Sequence, residues 1–420
     1  MPEDFNLRSR DYWKRLGWGV FLGLFSAIGA YIFIFIMSYG QSLVLPNLNN
    51  WTPFSGPWYM VVIMTLIGLV VGLIHHYTSA QQMDVFDAVD KGKMDPKPVP
   101  PSLLASILSL IGGFSLGPEV PTGMLAAALG SWISKNRKMD DESSKTNVIS
   151  SVSGAYAGLF SSPFVVLLML LESSHLQSIA YYGTLLIAGL AAAIGFSLFY
   201  ALNGMAVSSL LGILSLPTYH LEIWHLGVGI VLGLVAVPVA IIFGILNKII
   251  KRLVEPLTNK PVIRSTLGGL LLGLLAVAIP TTIGLGTTQM SVVTQQAATI
   301  GIVLLLVFAL AKIIALSGAL NFGFIGGPIF PLLFIGSCFG AIIHLIFPQI
   351  PIALALGCMI VAVPAAVVPI PLALAAIGII VVGVPFTDSL PLFLAALVAF
   401  SITHGLGMVG NNKKKTDKTI

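Results

Sequence analysis

Long unbroken apolar runs dominate this chain. They fall at 17–39, 58–75, 103–116, 120–133, 148–171, 179–201, 206–216, 226–246, 266–283, 300–316, 331–347, 352–384 and 391–402. A helix needs about 20 predominantly apolar residues to cross a bilayer, and several runs reach that length. Others are too short to cross alone. Segments that stop midway are tolerated only where protein or an aqueous cavity covers their exposed backbone, as in transporter binding sites. The pattern predicts an all-α polytopic membrane protein with broken and re-entrant helices, organised as one transmembrane domain over 1–420.

Composition agrees with this. The 420 residues are 56% hydrophobic and 9% charged, against roughly a quarter charged in an ordinary soluble domain. The formal net charge of +5 is spread over clusters beside the apolar runs: Arg8, Arg10, Lys14 and Arg15, then Lys135, Arg137 and Lys138, then 248–264, then Lys413, Lys414 and Lys415. By the positive-inside rule these loops and both termini are cytoplasmic. Such a distribution reports membrane orientation, not a nucleic-acid surface. The run at 17–39 is too long for the apolar part of a signal peptide. The tail after Met408 is short and polar, so no soluble regulatory domain is expected. Cys338 and Cys358 lie inside apolar runs, where they read as small core residues and not as a disulfide or metal pair.

One acid stands apart. Glu119 lies in Gly112-Gly113-Phe114-Ser115-Leu116-Gly117-Pro118-Glu119-Val120-Pro121-Thr122-Gly123, inside an apolar region with no acidic neighbour. A carboxyl group there is costly and marks an ion or proton path by default. Pro118 and Pro121 bracket it and interrupt any continuous helix. If a new helix begins at this point, its free amides and dipole make an anion site beside the carboxylate. An ionised Glu119 would then act as a tethered anion, released on protonation.

A second segment has the same character. Ser317-Gly318-Ala319-Leu320-Asn321-Phe322-Gly323-Phe324-Ile325-Gly326-Gly327-Pro328-Ile329-Phe330-Pro331 is again glycine-rich, proline-bracketed and followed by an apolar run. Broken segments in both halves of a chain point to a midplane site between inverted repeats.

These two segments carry a resemblance. Gly117-Pro118-Glu119-Val120-Pro121 resembles the gating-glutamate motif Gly-Lys/Arg-Glu-Gly-Pro of the chloride channel and transporter (CLC) family. The 317–331 segment is similar to that family's Ser-Gly, Gly-Gly, Gly-x-Phe-x-Pro selectivity segment, with Gly327, Pro328, Ile329, Phe330 and Pro331 in its slots. Ile329 replaces the family phenylalanine, and Phe330 falls one place later. Lys312 stands where a family lysine does. The likeness runs from about Leu66 to Phe400 and is strongest to divergent bacterial members labelled ion-channel or ion-transport proteins. It implies a CLC-like inverted repeat (about 17–215 and 225–410), a homodimer with a pore in each subunit, and transport of a small anion, chloride first and fluoride second. Gly117, Pro118, Val120, Gly327, Pro328, Ile329 and Phe330 would bind the anion, and Glu119 would gate it and accept protons.

Three departures qualify the likeness. The family's Gly-Ser-Gly-Ile-Pro is replaced by Tyr77-Thr78-Ser79-Ala80-Gln81-Gln82, leaving Ser79 as a weaker candidate ligand whose bland reading is a helix cap. The exchangers' internal proton glutamate falls at Ser173, with Glu172 one residue earlier and His175 nearby. The family's inner tyrosine has no counterpart after 391–402. Loss of the second glutamate favours passive or weakly proton-coupled conduction over proton-coupled antiport.

Other polar features take plainer readings. The stretch 78–97, with Asp84, Asp87, Asp90 and Asp95, reads as a solvated connector. Glu222 beside His220, Trp224 and His225 reads as an end-of-helix group, and its spacing makes a poor metal site. An intramembrane enzyme or lipid-handling protein is the remaining alternative, but the chain contains no His-Glu-x-x-His. No cofactor is expected.

Overall fold

The computed structural model describes residues 9–46, 52–173, 181–206 and 209–407. Among these there are fifteen α-helices and no strand. In chain order they are α1 (Arg10–Val44), α2 (Tyr59–Tyr77), α3 (Val85–Lys91), α4 (Val99–Ile111), α5 (Glu119–Asn136), α6 (Asp141–Leu159), α7 (Pro163–Ser173) and α8 (Tyr181–Leu202). There follow α9 (Ile223–Val254), α10 (Pro261–Ala278), α11 (Thr287–Phe322), α12 (Ile329–Ile346), α13 (Ile352–Ala365), α14 (Pro371–Val382) and α15 (Leu390–Gly405). Seven helices are long and apolar enough to cross a membrane, while α4, α7, α13, α14 and α15 are shorter apolar helices. The sequence therefore signals correctly that full spans and half-spans are mixed.

Proline accounts for two of the places where the apolar runs and the helices differ. The run at 148–171 is two helices, because Ser161 takes φ 53° and Pro163 opens α7 without an amide to donate. The run at 352–384 is also two, parted before Pro371, since the residue preceding proline is steered away from helical backbone. By contrast, α11 extends back to Thr287 through polar residues that hydropathy alone ignores. It is bent at Gln296 and at Gly301, whose φ is 76°. Within the supposed connector 78–97, Asp84 accepts hydrogen bonds from the Phe86 and Asp87 amides and so starts α3.

The described chain forms two compact units whose segments alternate along the sequence. The first draws on Met1–Leu211, Pro256–Gly284 and Phe322–Pro328, the second on Gly212–Glu255, Leu285–Asn321 and Ile329–Ile420. In the first unit α2 and α10 meet backbone to backbone. A side chain at Gly72 would meet Val262 Cα at 2.6 Å and one at Gly273 would meet Val61 Cα at 2.8 Å, while Gly68 and Gly269 face Ser265 and Met64 just as closely. Gly68 and Gly72, like Gly269 and Gly273, are four apart, the small-residue spacing that brings membrane helices together. The same unit buries α6, a helix rich in polar side chains, between α1, α5 and α8.

The second unit is built on α13, whose every residue from Ala353 to Ala365 is buried. It packs on α12, α14, α15 and α9. Cys338 and Cys358 are both buried and free, as their apolar setting predicts. Glu222 precedes α9, with its amide donating to His225 Nδ1 at 2.9 Å and its carboxylate accepting from Trp224 Nε1 at 2.8 Å. That is the end-of-helix role expected of it.

Candidate ion site

The chain breaks after α4 because Gly112 and Gly113 end the helix, Gly113 with φ 80°. It resumes as α5 with Pro118 in the cap position and Glu119 as the first helical residue. Proline at position 121 fits the first turn, where its missing amide would have had no intrahelical partner. Glu119 is thus placed at the positive end of its own helix, where a carboxylate is stabilised. Its side chain is only 3% exposed.

The second broken segment comes directly against the first. Gly117 N donates to Gly327 O and Gly327 N donates to Gly117 O, both at 2.8 Å. Phe114 stacks on Phe324 with ring centroids 3.6 Å apart and planes 23° apart, and both rings are fully buried. Gly284 N donates to Gly113 O at 2.7 Å and pins the first turn from a third side. The glycine at 327 has a specific reason: the Glu119 carboxyl occupies the space a β-carbon would need there.

Further groups hold Glu119 by its backbone. Tyr156 of α6 donates its hydroxyl to the Glu119 carbonyl at 2.8 Å. The Thr122 hydroxyl turns back to Pro118 O at 2.7 Å. Among the described residues, the buried Ser115 hydroxyl has no hydrogen-bond partner. The sequence reading missed Tyr156, because its pairing spans 37 residues between two helices. It also passed over Ser115, although Ser115 stands within the glycine-rich motif.

The predicted site residues divide into groups. Gly117, Pro118, Glu119, Val120, Gly327 and Pro328 all belong to the first unit. Ile329 and Phe330 are buried and open α12 in the second unit. Lys312 is fully buried in α11 of the second unit, its ammonium 5.3 Å from the centre of the Phe334 ring. Ser79 is exposed in the bend after α2, and Glu172 is partly exposed near the end of α7. Ser173 is the last residue of α7. His175 and Lys413, Lys414 and Lys415 fall outside the described residues. Among the described residues, no cluster of His, Cys, Asp or Glu has the arrangement of a metal centre.

Residues 69–404 match the family described as "Voltage gated chloride channel". The chain belongs to this family. CLC relatives include the proteins described as "Putative ion-transport protein YfeO" from Salmonella newport and Salmonella typhimurium. Each is 30% identical over 386 residues, covering 86% of this chain and 87% of the relative. The CLC fold is shared with a slow cyanobacterial Cl-/H+ antiporter at a TM-score of 0.74, with 18% identity and 96% of both chains covered. It is shared also with a CLC-type fluoride/proton antiporter at a TM-score of 0.71 and 22% identity, covering 93% of this chain and 94% of that one.

Proposed function

We propose that this CLC protein moves a small inorganic anion, chloride in the first instance, across the cell membrane, with the Glu119 carboxylate as its gate and proton acceptor. One observation carries the reading. A buried carboxylate sits at a helix amino terminus, on the glycine of the second broken segment, where backbone amides also suit an anion. Ionised Glu119 and a transported anion would compete for the same kind of site, and protonation would weaken the side chain's claim. Gly117, Pro118, Val120, Gly327, Pro328, Ile329 and Phe330 are the proposed lining, with the Ser115 hydroxyl as an added donor and Ser79 as a minor one. A single transmembrane domain of two inverted repeats, a homodimer and cytoplasmic termini complete the proposal.

Passive or weakly proton-coupled conduction is the preferred mechanism, because Ser173 stands where the exchangers carry their internal glutamate. Proton-coupled antiport of chloride or fluoride is the second reading. Its support is that two solved structures of similar fold are described as Cl-/H+ and fluoride/proton antiporters, and Glu172 is the acid nearest to the missing position.

The test is anion efflux from liposomes containing the purified protein, with pH recorded in parallel. Anion flux without matching proton movement is expected. Stoichiometric proton movement would replace conduction by antiport, and flux no greater than in empty liposomes would remove both. Glu119→Gln is expected to remove most of the pH dependence of the flux; an unaltered pH profile would take Glu119 out of its role.

A further inference from the structure

A cavity of about 440 Å³ opens beside the amino end of α1, within the first unit. The first turns of α1 supply Asp11, Lys14, Arg15 and Trp18 to its wall, and the start of α6 supplies Asp140 and Asn147. A water molecule takes up about 30 Å³ in the liquid, so the space is much larger than one inorganic ion needs. Its size is that of a small-molecule site.

Asn147 gives the cavity a fixed polar group. It is 1% exposed, and its side-chain nitrogen donates to Ser134 Oγ at 2.9 Å and to Met139 Sδ at 3.1 Å. Both N–H groups are thereby used, and the amide cannot turn. Its Oδ1 accepts from no described residue. A buried amide oxygen needs a donor, and the cavity that Asn147 lines is the side from which one can reach it. Asp140 is engaged elsewhere, since it caps α6 by accepting from the Ser143 amide at 3.2 Å. Lys14 donates to Asp11 at 2.9 Å in an exposed pair, and Arg15 Nη1 donates to Glu142 Oε1 at 2.5 Å. The wall thus carries two cations, Lys14 and Arg15, against two carboxylates, Asp11 and Asp140.

An apolar stripe continues from the cavity along α1. Trp18 meets Phe21 edge to face with ring centroids 5.7 Å apart, and Phe21 meets Phe25 at 4.3 Å. Phe21, Phe25 and Ile32 are 43%, 46% and 52% exposed. Positions 18, 21, 25 and 32 share one helix face. At 1.5 Å of rise per residue they extend about 21 Å, more than the depth of one leaflet, which is half of about 30 Å. The Arg137 guanidinium lies 5.6 Å from the centre of the Trp18 ring and holds it where the polar wall gives way to the apolar stripe. Tryptophan is enriched at the level of lipid headgroups.

We propose that this cavity binds the headgroup of phosphatidylethanolamine, with an acyl chain of the same lipid along the α1 stripe. Lys14 and Arg15 hold the phosphate through charge-assisted hydrogen bonds. The ammonium donates to Asn147 Oδ1 and to Asp11. Exposed ion pairs contribute little, so the Lys14–Asp11 pair exchanges readily for a zwitterion carrying the same two charges. Donors and charge together select the headgroup. Choline has no N–H to offer Asn147 Oδ1. A glycerol headgroup has hydroxyl donors, but its lipid brings net negative charge to a wall whose two cations are matched by two carboxylates. The site is independent of the anion-transport reading.

Native mass spectrometry of the full-length protein, released from nanodiscs holding equal parts phosphatidylethanolamine, phosphatidylglycerol and phosphatidylcholine, tests the site. Phosphatidylethanolamine should be retained about tenfold over phosphatidylcholine, the factor of one charge-assisted hydrogen bond, and ahead of phosphatidylglycerol. Asn147→Leu should bring it down to the phosphatidylcholine level. Lys14→Gln, which breaks only an exposed pair and so keeps the fold, should lower its retention by a similar factor and carries the test if Asn147→Leu does not fold. In detergent, added phosphatidylethanolamine should raise the Tm of the wild type and leave that of Lys14→Gln where it was, while inorganic phosphate at the same concentration should protect neither. Equal retention of phosphatidylethanolamine and phosphatidylcholine, preference for phosphatidylglycerol, or unchanged retention in Lys14→Gln overturns the proposal. Protection by inorganic phosphate equal to that by the lipid also overturns it, because the cavity would then hold a free anion and not a headgroup.

Discussion

The two broken segments perform one task with opposite means. The 112–118 turn delivers a charge, Glu119, and surrounds it with groups that hold its backbone: Tyr156 on its carbonyl and Thr122 on Pro118. The 322–328 segment delivers no charge. It supplies space at Gly327 and is itself held by side chains from elsewhere, Ser265 and His75. The gate proposed for Glu119 would need a fixed helix end behind it and room before it, and the two segments divide these requirements.

The difference can be tested at the ring stack that joins them. Phe114→Ala and Phe324→Ala should each destabilise the protein by about 3–5 kcal/mol, the usual cost of emptying a fully buried phenylalanine site. The double variant should cost less than the sum by about 0.5–1.5 kcal/mol, because the rings share one contact. Thermal unfolding in detergent with a double-mutant cycle measures this, and strict additivity would mean that the segments are held together by backbone alone.

Next in size is the space itself. Gly327→Ala places a methyl group against the Glu119 carboxyl and should cost about 1–3 kcal/mol, the range for overpacking. It should also raise anion flux at neutral pH by displacing the carboxylate. If Gly327→Ala keeps wild-type flux and pH profile in liposomes, the carboxylate does not rest there while the protein conducts.

The support behind the charge comes third. Tyr156→Phe removes the 2.8 Å donor of the Glu119 carbonyl and leaves it the Thr122 hydroxyl at 3.2 Å; it should lower stability by up to about 1.5 kcal/mol, visible as a lower Tm, with a smaller effect on flux than Glu119→Gln. An effect on flux as large as that of Glu119→Gln would mean that Tyr156 acts on the ion and not only on the helix.

The smallest effect lies outside both segments and serves as a control. Asp140 starts α6, and the Ser143 hydroxyl and amide hold its carboxyl below the usual carboxylate range. A lowered value means that the cap contributes fully at neutral pH and is lost as pH falls below about 4. Asp140→Ala should cost about 1 kcal/mol at pH 7 and progressively less on acidification, while leaving the pH profile of flux unchanged.

Both segments were visible in the sequence because their signals are local: glycine, proline and a lone acid interrupting apolar runs. Membrane spanning and the family resemblance followed from similarly short-range evidence. What stayed hidden was which distant groups close each break. Tyr156 and Glu119 lie on different helices, and His75 and Gly323 are 248 residues apart. Nothing in His75-His76-Tyr77 announces that the His75 ring reaches Gly323 O. The helix boundaries within 148–171 and 352–384 were missed for a different reason. Hydropathy measures burial in lipid and is blind to a turn that is itself apolar, as at Ala366–Ile370.

The glycine faces of α2 and α10 also constrain the order of assembly. A chain is made from its amino end, and α2 is complete at Tyr77 long before Pro261 begins α10. Until then, the glycine face at Gly68 and Gly72 lacks the α10 backbone that covers it in the folded unit. The stretch from Phe322 to Pro328 arrives later still. Maturation of the first unit is therefore timed by the synthesis of the second half of the protein, and a ribosome stalled before residue 261 would leave an α2 open to association with any neighbouring helix of small residues.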